Sequence, residues 1–337
     1  MPYKESLRDS SFCRPVFACG ERPVKVIFFS SGEFGIPILG SLASDPSFEI
    51  LAVVTQPDKP AGRSQKITPT VIKIFAEGLG LSVISPDKIK GNKDFEDLLK
   101  KMSLDFIVAV SYGQIIPRNI LDIPRITAIN IHGSLLPRYR GASPIQTALL
   151  NGDKETGITI MEMNEKMDEG DVYLIKRVPI EDSDDFSSLM KKLSMLAGEI
   201  IPHALKDITD GNLKKIKQDD SRATYCAKIE KNMAKLDCKK LTAAEVHNHI
   251  RAFAFWPNCS VLWNKKLIII HKAKTAPNKE KTPSGSIIFP DKNTMAIACS
   301  SGLLIPEIVQ LEGKKPIPIK EFINGYKTAL VAHPFVE

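Results

Sequence analysis

VKVIFF, residues Val24–Phe29, sets five apolar side chains around a single Lys25, between Pro23 and Ser30. A short apolar run between polar flanks reads as a buried strand. Outward from it, Phe34, Ile38 and Leu42 recur at helical spacing and predict a helix over 33–43. Ile50–Thr55 (ILAVVT) reads as a second buried strand. The Pro-, Gly- and Lys-rich stretch Gln56–Thr68 reads as a loop. Thr68 then reads as the cap, and Pro69 as the first position, of a helix ending at Gly78. Leu81–Ile84 is a short strand and Asp94–Lys101 an amphipathic helix. Asp105–Val110 (DFIVAV) and Thr127–Ile131 (TAINI) complete the set of strong strands. Short apolar strands alternating with helices predict an α/β fold, an open and mainly parallel sheet covered on both faces. Ligands in such sheets sit outside the carboxyl ends of the strands. Three loops stand there: Ser30–Gly35, Gln56–Thr68 and His132–Ser143.

The αβ pattern continues to about Asp207, with strands near Gly157–Met161 and Val172–Val178 and a helix through Ser187–Lys206. Lys and Asp then dominate Gly211–Arg222, which reads as a linker. Beyond it one helix, Thr242–Phe253, precedes the short strands Ser260–Trp263, Leu267–His271, Gly285–Phe289, Thr294–Ala298 and Leu303–Leu311. Turn residues separate them, which predicts a small C-terminal β-barrel. The expected domains are therefore 24–210, a linker over 211–224, and a barrel over 225–337, with residues 1–23 as an unstructured extension.

A chain of 337 residues has room for two ordinary domains, and 43% apolar with 25% charged residues excludes a disordered chain or a small disulfide scaffold. No apolar run approaches the ~20 residues of a membrane-spanning helix. Residues 1–210 carry a net charge of −3 and residues 211–337 one of +10. A basic module beside a near-neutral one fits a polyanionic partner such as nucleic acid, and equally a soluble Lys-rich domain. The six cysteines, Cys13, Cys19, Cys226, Cys238, Cys259 and Cys299, form no C-x-x-C pair and no zinc spacing, so no metal is expected. Scattered thiols fit a reducing compartment. Glu5, Asp9 and Glu21 among the first residues argue against a secretory signal or a transit peptide.

The segment richest in chemistry is Asn130–Pro144, NIHGSLLPRYRGASP, which begins where a strand ends. Asn130 and His132 are two apart, so in extended backbone they face the same way. An amide and an imidazole side by side can donate to one oxygen, as an oxyanion at an acyl carbon requires, and the imidazole can move a proton near neutral pH. The same pair also fits a turn cap and a half-buried histidine. Met167–Asp171 (MDEGD) offers Asp168 as a carboxylate to orient His132 or to take a proton from an attacking amine. It is also good turn chemistry. The loop Gln56–Lys66 carries Lys59, Arg63 and Lys66 against Asp58, which suits a sugar-phosphate backbone or simply a solvated loop. After the first strand the sequence reads SSGEFG, not G-x-G-x-x-G, and no P-loop, G-x-S-x-G or H-E-x-x-H occurs. Dinucleotide, phosphoryl-transfer, esterase and zinc-protease chemistry are all disfavoured.

Together VSYGQ (Val110–Gln114), NIHGSLLP (Asn130–Pro137), RYRGASP (Arg138–Pro144), PIQTA (Pro144–Ala148), NGDKETG (Asn151–Gly157) and DEGD (Asp168–Asp171) resemble the folate-dependent formyltransferases, and within them the branch acting on charged initiator tRNA. The resemblance runs colinearly over roughly 24–335. It implies a Rossmann-like formyltransferase domain followed by an OB-like barrel that binds tRNA. It implies catalytic roles for Asn130, His132 and Asp168, and a donor, 10-formyltetrahydrofolate, held by Ser134, Leu135, Leu136 and Pro137 and lying near Val110, Ser111, Tyr112 and Gly113. The implied acceptor is the amino group of initiator methionyl-tRNA. Arg63, with Lys59 and Lys66 in its loop, would reach the acceptor stem, and Lys228 and Arg251 would meet phosphates. His247, His249 and Trp256 read as packing. An amino-sugar nucleotide is the competing acceptor, weighed down by the basic P-D-x-P-x-G-R loop at Pro57–Arg63. A monomer in a bacterial cytoplasm is expected, or else in an organelle matrix. Ser30-Ser31-Gly32 stands where the family usually has Gly-Thr-Pro, a departure that bears on the donor site. Tyr139 replaces a frequent Trp, and Cys226 and Cys238 are atypical.

Overall fold

β1 (Val24–Ser30) buries Val26, Ile27, Phe28 and Phe29 completely, as VKVIFF requires. Burial of one such aromatic side chain contributes about 2–3 kcal/mol. The computed structural model describes residues 22–61 and 65–336. The chain turns from β1 into α1 (Gly35–Ser44) at a close approach, for a Cβ on Gly35 would lie 2.3 Å from the Ser30 hydroxyl. β2 (Phe48–Val54) returns parallel to β1.

The Gln56–Thr68 loop contains an unexpected antiparallel hairpin, β3 (Lys59–Ala61) with β4 (Lys66–Thr68). That hairpin moves the next helix boundary. Thr68 belongs to β4 and its hydroxyl donates to the Lys66 carbonyl, so it cannot cap a helix. Thr70 caps α2 (Val71–Gly78) instead, its Oγ1 accepting from the Lys73 amide. β5 (Val83–Ile84) pairs parallel with β2. α3 (Lys93–Lys101) starts at an Asn92 cap, with Asp94 and Glu96 in its first turn and Lys100 and Lys101 in its last, matching the helix dipole. β6 (Phe106–Val110) is buried at every residue and pairs parallel with β1. α4 (Arg118–Leu121) leads to β7 (Thr127–His132).

Next come β8 (Arg140–Gly141), α5 (Pro144–Leu150), β9 (Glu155–Glu162), β10 (Val172–Pro179) and the long α6 (Phe186–Thr209). Seven strands form a mostly parallel sheet in the order β10-β9-β7-β6-β1-β2-β5, with β9 and β10 antiparallel at one end. The described residues fall into two compact units. One runs to Ile129 and takes in Gly198–Thr209; the other comprises Asn130–Ala197 and the chain from Asp210 onward.

Residues 211–224, expected as a linker, are built into the second unit. Ile216 bridges Val172, and Gln218 is 7% exposed. β11 (Tyr225–Cys226) then pairs parallel with β8. α7 (Ala243–Ala252) opens with a Thr242/Glu245 capping box. β12 (Ser260–Trp263), β13 (Lys266–Ala276), β14 (Ile287–Asp291), β15 (Thr294–Ala298) and β16 (Leu303–Leu311) make an antiparallel, barrel-like sheet in the order β12-β13-β16-β15-β14. β17 (Ile317–Pro318) pairs with β16, and α8 (Ile319–Ala332) follows. Cys226, Cys238, Cys259 and Cys299 are buried free thiols, while Cys13 and Cys19 lie outside the described residues. Among the described residues no helix is long and apolar enough to cross a membrane.

Candidate active site

β7 ends in Asn130-Ile131-His132, and the strand's alternation buries Ile131 while Asn130 and His132 share the other face. His132 Nε2 lies 2.8 Å from the Tyr139 carbonyl oxygen. A carbonyl can only accept, so Nε2 carries the hydrogen and donates it. Nδ1 is therefore the ring atom free to exchange a proton, and it faces Asp168 Oδ2 at 3.6 Å. Asn130 Nδ2 donates to Asp168 Oδ1 over 3.4 Å, and the Gly141 amide donates to Asp168 Oδ2 over 2.8 Å. The structure thus gathers Asn130, His132 and Asp168 around one carboxylate. The imidazole presents Nδ1 to that carboxylate because the turn after β7 returns the Tyr139 carbonyl to Nε2.

That turn is fixed at many points. Tyr139 sits at φ 59°, a left-handed conformation uncommon for a bulky side chain. Its hydroxyl donates to Asp153 Oδ2 and accepts from Asn151 Nδ2 and Arg138, and its amide donates to Thr224 Oγ1. Ser134 is fully buried, its hydroxyl donating to the Arg138 carbonyl over 2.7 Å. Thr159 donates to the Ser134 carbonyl and accepts from the Leu136 amide, with a cis Leu136–Pro137 bond between. Leu135 and Pro137 are half-buried and Leu136 is buried.

The Asp168 turn is equally constrained. Asp168 adopts φ 57°, and a Cβ on Gly170 would come within 1.7 Å of the Glu162 carbonyl oxygen, so only glycine closes the turn. A Cβ on Gly141 would lie 2.3 Å from the Cys226 carbonyl oxygen. Burial pushes the Cys226 thiol up, and the nearby Asp168 charge adds to the shift. A carboxylate, an imidazole and an amide in this arrangement can accept a proton from an amine and donate to an oxyanion.

In the other unit, Ser111, Tyr112 and Gly113 line a cavity of about 370 Å³, together with Ser31, Gln56 and Lys59. Val110, which precedes Ser111 at the end of β6, is buried and does not line the cavity. Ser31 takes up part of the altered Ser30–Gly32 segment: its hydroxyl donates to the Tyr112 carbonyl and accepts from the Gln56 amide. Burial pushes the Tyr112 phenol up to about 12, so it stays protonated at neutral pH. The cavity brings Lys59 and Ser111–Gly113 together, although the sequence assigns them to different ligands. A volume near 370 Å³ is of the size that holds a small-molecule group. Among the described residues no three His, Cys, Asp or Glu side chains gather as a metal-holding group.

The formyl transferase family model matches residues 24–205, and the model of the formyl transferase C-terminal domain matches residues 228–327. The chain belongs to the formyltransferase family. It is similar to the methionyl-tRNA formyltransferases of Caldicellulosiruptor saccharolyticus, 40% identical over 90% of this chain and 97% of that one, and of Lactobacillus acidophilus, 40% identical over 91% and 96%. Its fold resembles a solved N-formyltransferase from Helicobacter canadensis, in complex with folinic acid and dTDP-3-aminofucose, at TM-score 0.64 and 19% identity over 84% of this chain and 99% of that one.

The basic candidates of this formyltransferase divide by setting. Lys59 donates to Gln56 Oε1 at the cavity edge, and Lys66 and Lys228 are exposed. Arg63 lies outside the described residues. Arg251 is used inside the fold. Its guanidinium, which the resemblance assigns to a phosphate contact, donates to the Glu181 and Asp184 carbonyls and to Asn248 Oδ1. The sequence reading of the enzyme also missed Gln218 and Arg140. Gln218 was hidden in a stretch whose composition is that of a linker. Only its place as the one glutamine among Lys and Asp could have marked it.

Proposed function

We propose that this formyltransferase moves the formyl group of 10-formyltetrahydrofolate to the free amino group of methionyl-initiator tRNA, giving formylmethionyl-tRNA for translation initiation. The observation that carries this reading is the 40% identity to methionyl-tRNA formyltransferases over 90% of this chain, spanning both matched family regions. The domain reading goes with it: residues 24–210 do the chemistry and the barrel of 225–337 meets tRNA. The reaction belongs where initiator tRNA is charged, in a bacterial cytoplasm or an organelle matrix.

Val110–Gly113 and Ser134–Pro137 are the residues this reading assigns to the donor. The neutral amine attacks the formyl carbon and a tetrahedral oxyanion forms. Asn130 Nδ2 donates to that oxygen. The new C–N bond leaves a positive charge on the amine, and its proton passes to Asp168, which His132 Nδ1 faces at 3.6 Å. The proton then goes to the donor nitrogen as its bond to the formyl carbon breaks. Products are the formamide and tetrahydrofolate. His132 stays oriented throughout because Tyr139 holds its Nε2–H. Lys59, Lys66, Arg63 and Lys228 supply phosphate contacts. Arg251 is omitted from that set because two carbonyls already hold it.

The test is direct. The purified protein is incubated with 10-formyltetrahydrofolate and either charged initiator methionyl-tRNA or an amino-sugar nucleotide, and the formylated product is measured. Formyl on the tRNA alone is expected. Formyl on the sugar alone would overturn the choice of acceptor and keep the reaction type.

A further inference from the structure

We propose that Gln218 is a positioning residue that sets the Asp168 turn, with the buried Arg140 setting Gln218. The proposal rests on the role given to Asp168 above. Gln218 Nε2 donates to two carbonyls of the same turn, Asp168 at 2.9 Å and Gly170 at 2.7 Å. Its Oε1 accepts from Arg140 Nε at 3.2 Å and from a terminal guanidinium nitrogen at 2.9 Å. A guanidinium has no acceptor, so the amide has one orientation only, oxygen toward Arg140 and nitrogen toward the turn. Every polar atom of the Gln218 amide is thereby used.

Arg140 is 1% exposed, the largest fully buried side chain of the described residues. Its second anchor is Asp220 Oδ1 at 2.7 Å, and Glu169 Oε1 stands 3.9 Å away. An arginine of this kind is costly to bury unless its fork is fully met. Here the fork holds an amide that, in turn, grips the backbone of the residue whose side chain receives Gly141 and Asn130. Asp168 at φ 57° lies outside the broad allowed regions for an L side chain, so the turn needs outside constraint to persist. The two Gln218 bonds close on either side of Glu169 and supply it. Released, the carboxylate would drift from Asn130 Nδ2 and His132 Nδ1, and displacements near 1 Å cost about 100-fold in rate.

Gln218→Glu separates this role from plain packing. Glutamate keeps the acceptor for Arg140 and the side-chain shape, and it loses both N–H donors to the turn. In the full-length protein, formylation of methionyl-tRNA is expected to lose about 10- to 100-fold in kcat, with KM for both substrates within about twofold. Hydrogen exchange on the same variant is expected to speed up over 167–171 while β9 and β10 keep their protection. If Gln218 served only as a partner for Arg140, Q218E would keep native kcat and native exchange, and the proposal would be overturned. Loss of protection across the whole chain would likewise overturn it in favour of a purely structural role. Asp168→Asn, run alongside, separates the two readings: full activity there removes Asp168 from the mechanism, whereas an inactive D168N beside a fully active Q218E removes only Gln218.

Discussion

The ring of His132 is tied through Nε2 to the carbonyl of Tyr139 at 2.8 Å, and this one bond decides which nitrogen can work. Tyr139 reaches that position only by taking a left-handed backbone conformation, and its hydroxyl is spent holding it there. The histidine is thus oriented by a neighbouring turn, and its other nitrogen is left to Asp168.

Tyr139→Phe tests that arrangement. The variant keeps the ring and deletes a hydroxyl bonded to Arg138, Asn151 and Asp153. Asn151 and Asp153 then lose a partner, and stability is expected to fall by about 1–3 kcal/mol in a urea titration. The left-handed turn loosens with it, so kcat is expected to fall by about tenfold. Native stability together with native kcat would show that the hydroxyl holds nothing.

The sequence revealed the strands well and the site frame poorly, for physical reasons. VKVIFF and DFIVAV are buried on both faces, so hydrophobic runs alone locate them. Asn130 and His132 were legible because strand alternation places them on one face. The β3–β4 hairpin was not, since its strands are three residues long and Lys59, Pro60 and Lys66–Thr68 are all exposed, leaving no alternation to read. α4 and α5 are short and begin at prolines or after loops, where periodicity has too few turns to register. The ring nitrogen that faces Asp168 follows from a long-range carbonyl, and Gln218 from contacts 48 and 50 residues away along the chain. Neither leaves a local pattern.

Asp105 gives the expected acid sensitivity. Burial pushes its carboxyl up, but two hydrogen bonds from Arg22, one from the Lys25 amide, and the nearby Arg125 charge outweigh that, and the net shift is downward. A carboxylate lowered in the folded state stabilises above its unfolded value, and that contribution is lost as pH falls from about 4 through the folded value. Asp105→Asn is expected to lower Tm at pH 7 and to approach the wild type as pH drops below about 4. A Tm difference that stays constant from neutral to acid pH would contradict the assignment.

Lys228 and Arg251 are expected to behave differently toward tRNA. Lys228 is exposed, whereas Arg251 spends its guanidinium on Glu181, Asp184 and Asn248. Lys228→Ala is expected to reduce the dependence of log affinity on log salt by about 0.7–0.9. Arg251→Ala is expected to keep that slope and to lose stability, by about 1–3 kcal/mol for two freed carbonyls. The reverse pattern in salt titrations and thermal melts would assign the phosphate contact to Arg251.

The central claim is that Asp168, gathered with Asn130 and His132, carries formyl transfer to charged tRNA. Its most direct test is a single-turnover measurement of formylmethionyl-tRNA from 10-formyltetrahydrofolate, with wild type and Asp168→Asn side by side. Asparagine keeps the shape and an acceptor for the Gly141 amide, so the fold and tRNA affinity are expected to stay native. The predicted result is rapid formylation by the wild type and a rate lower by about 100- to 1,000-fold in the variant. A variant that formylates at the wild-type rate would contradict the account.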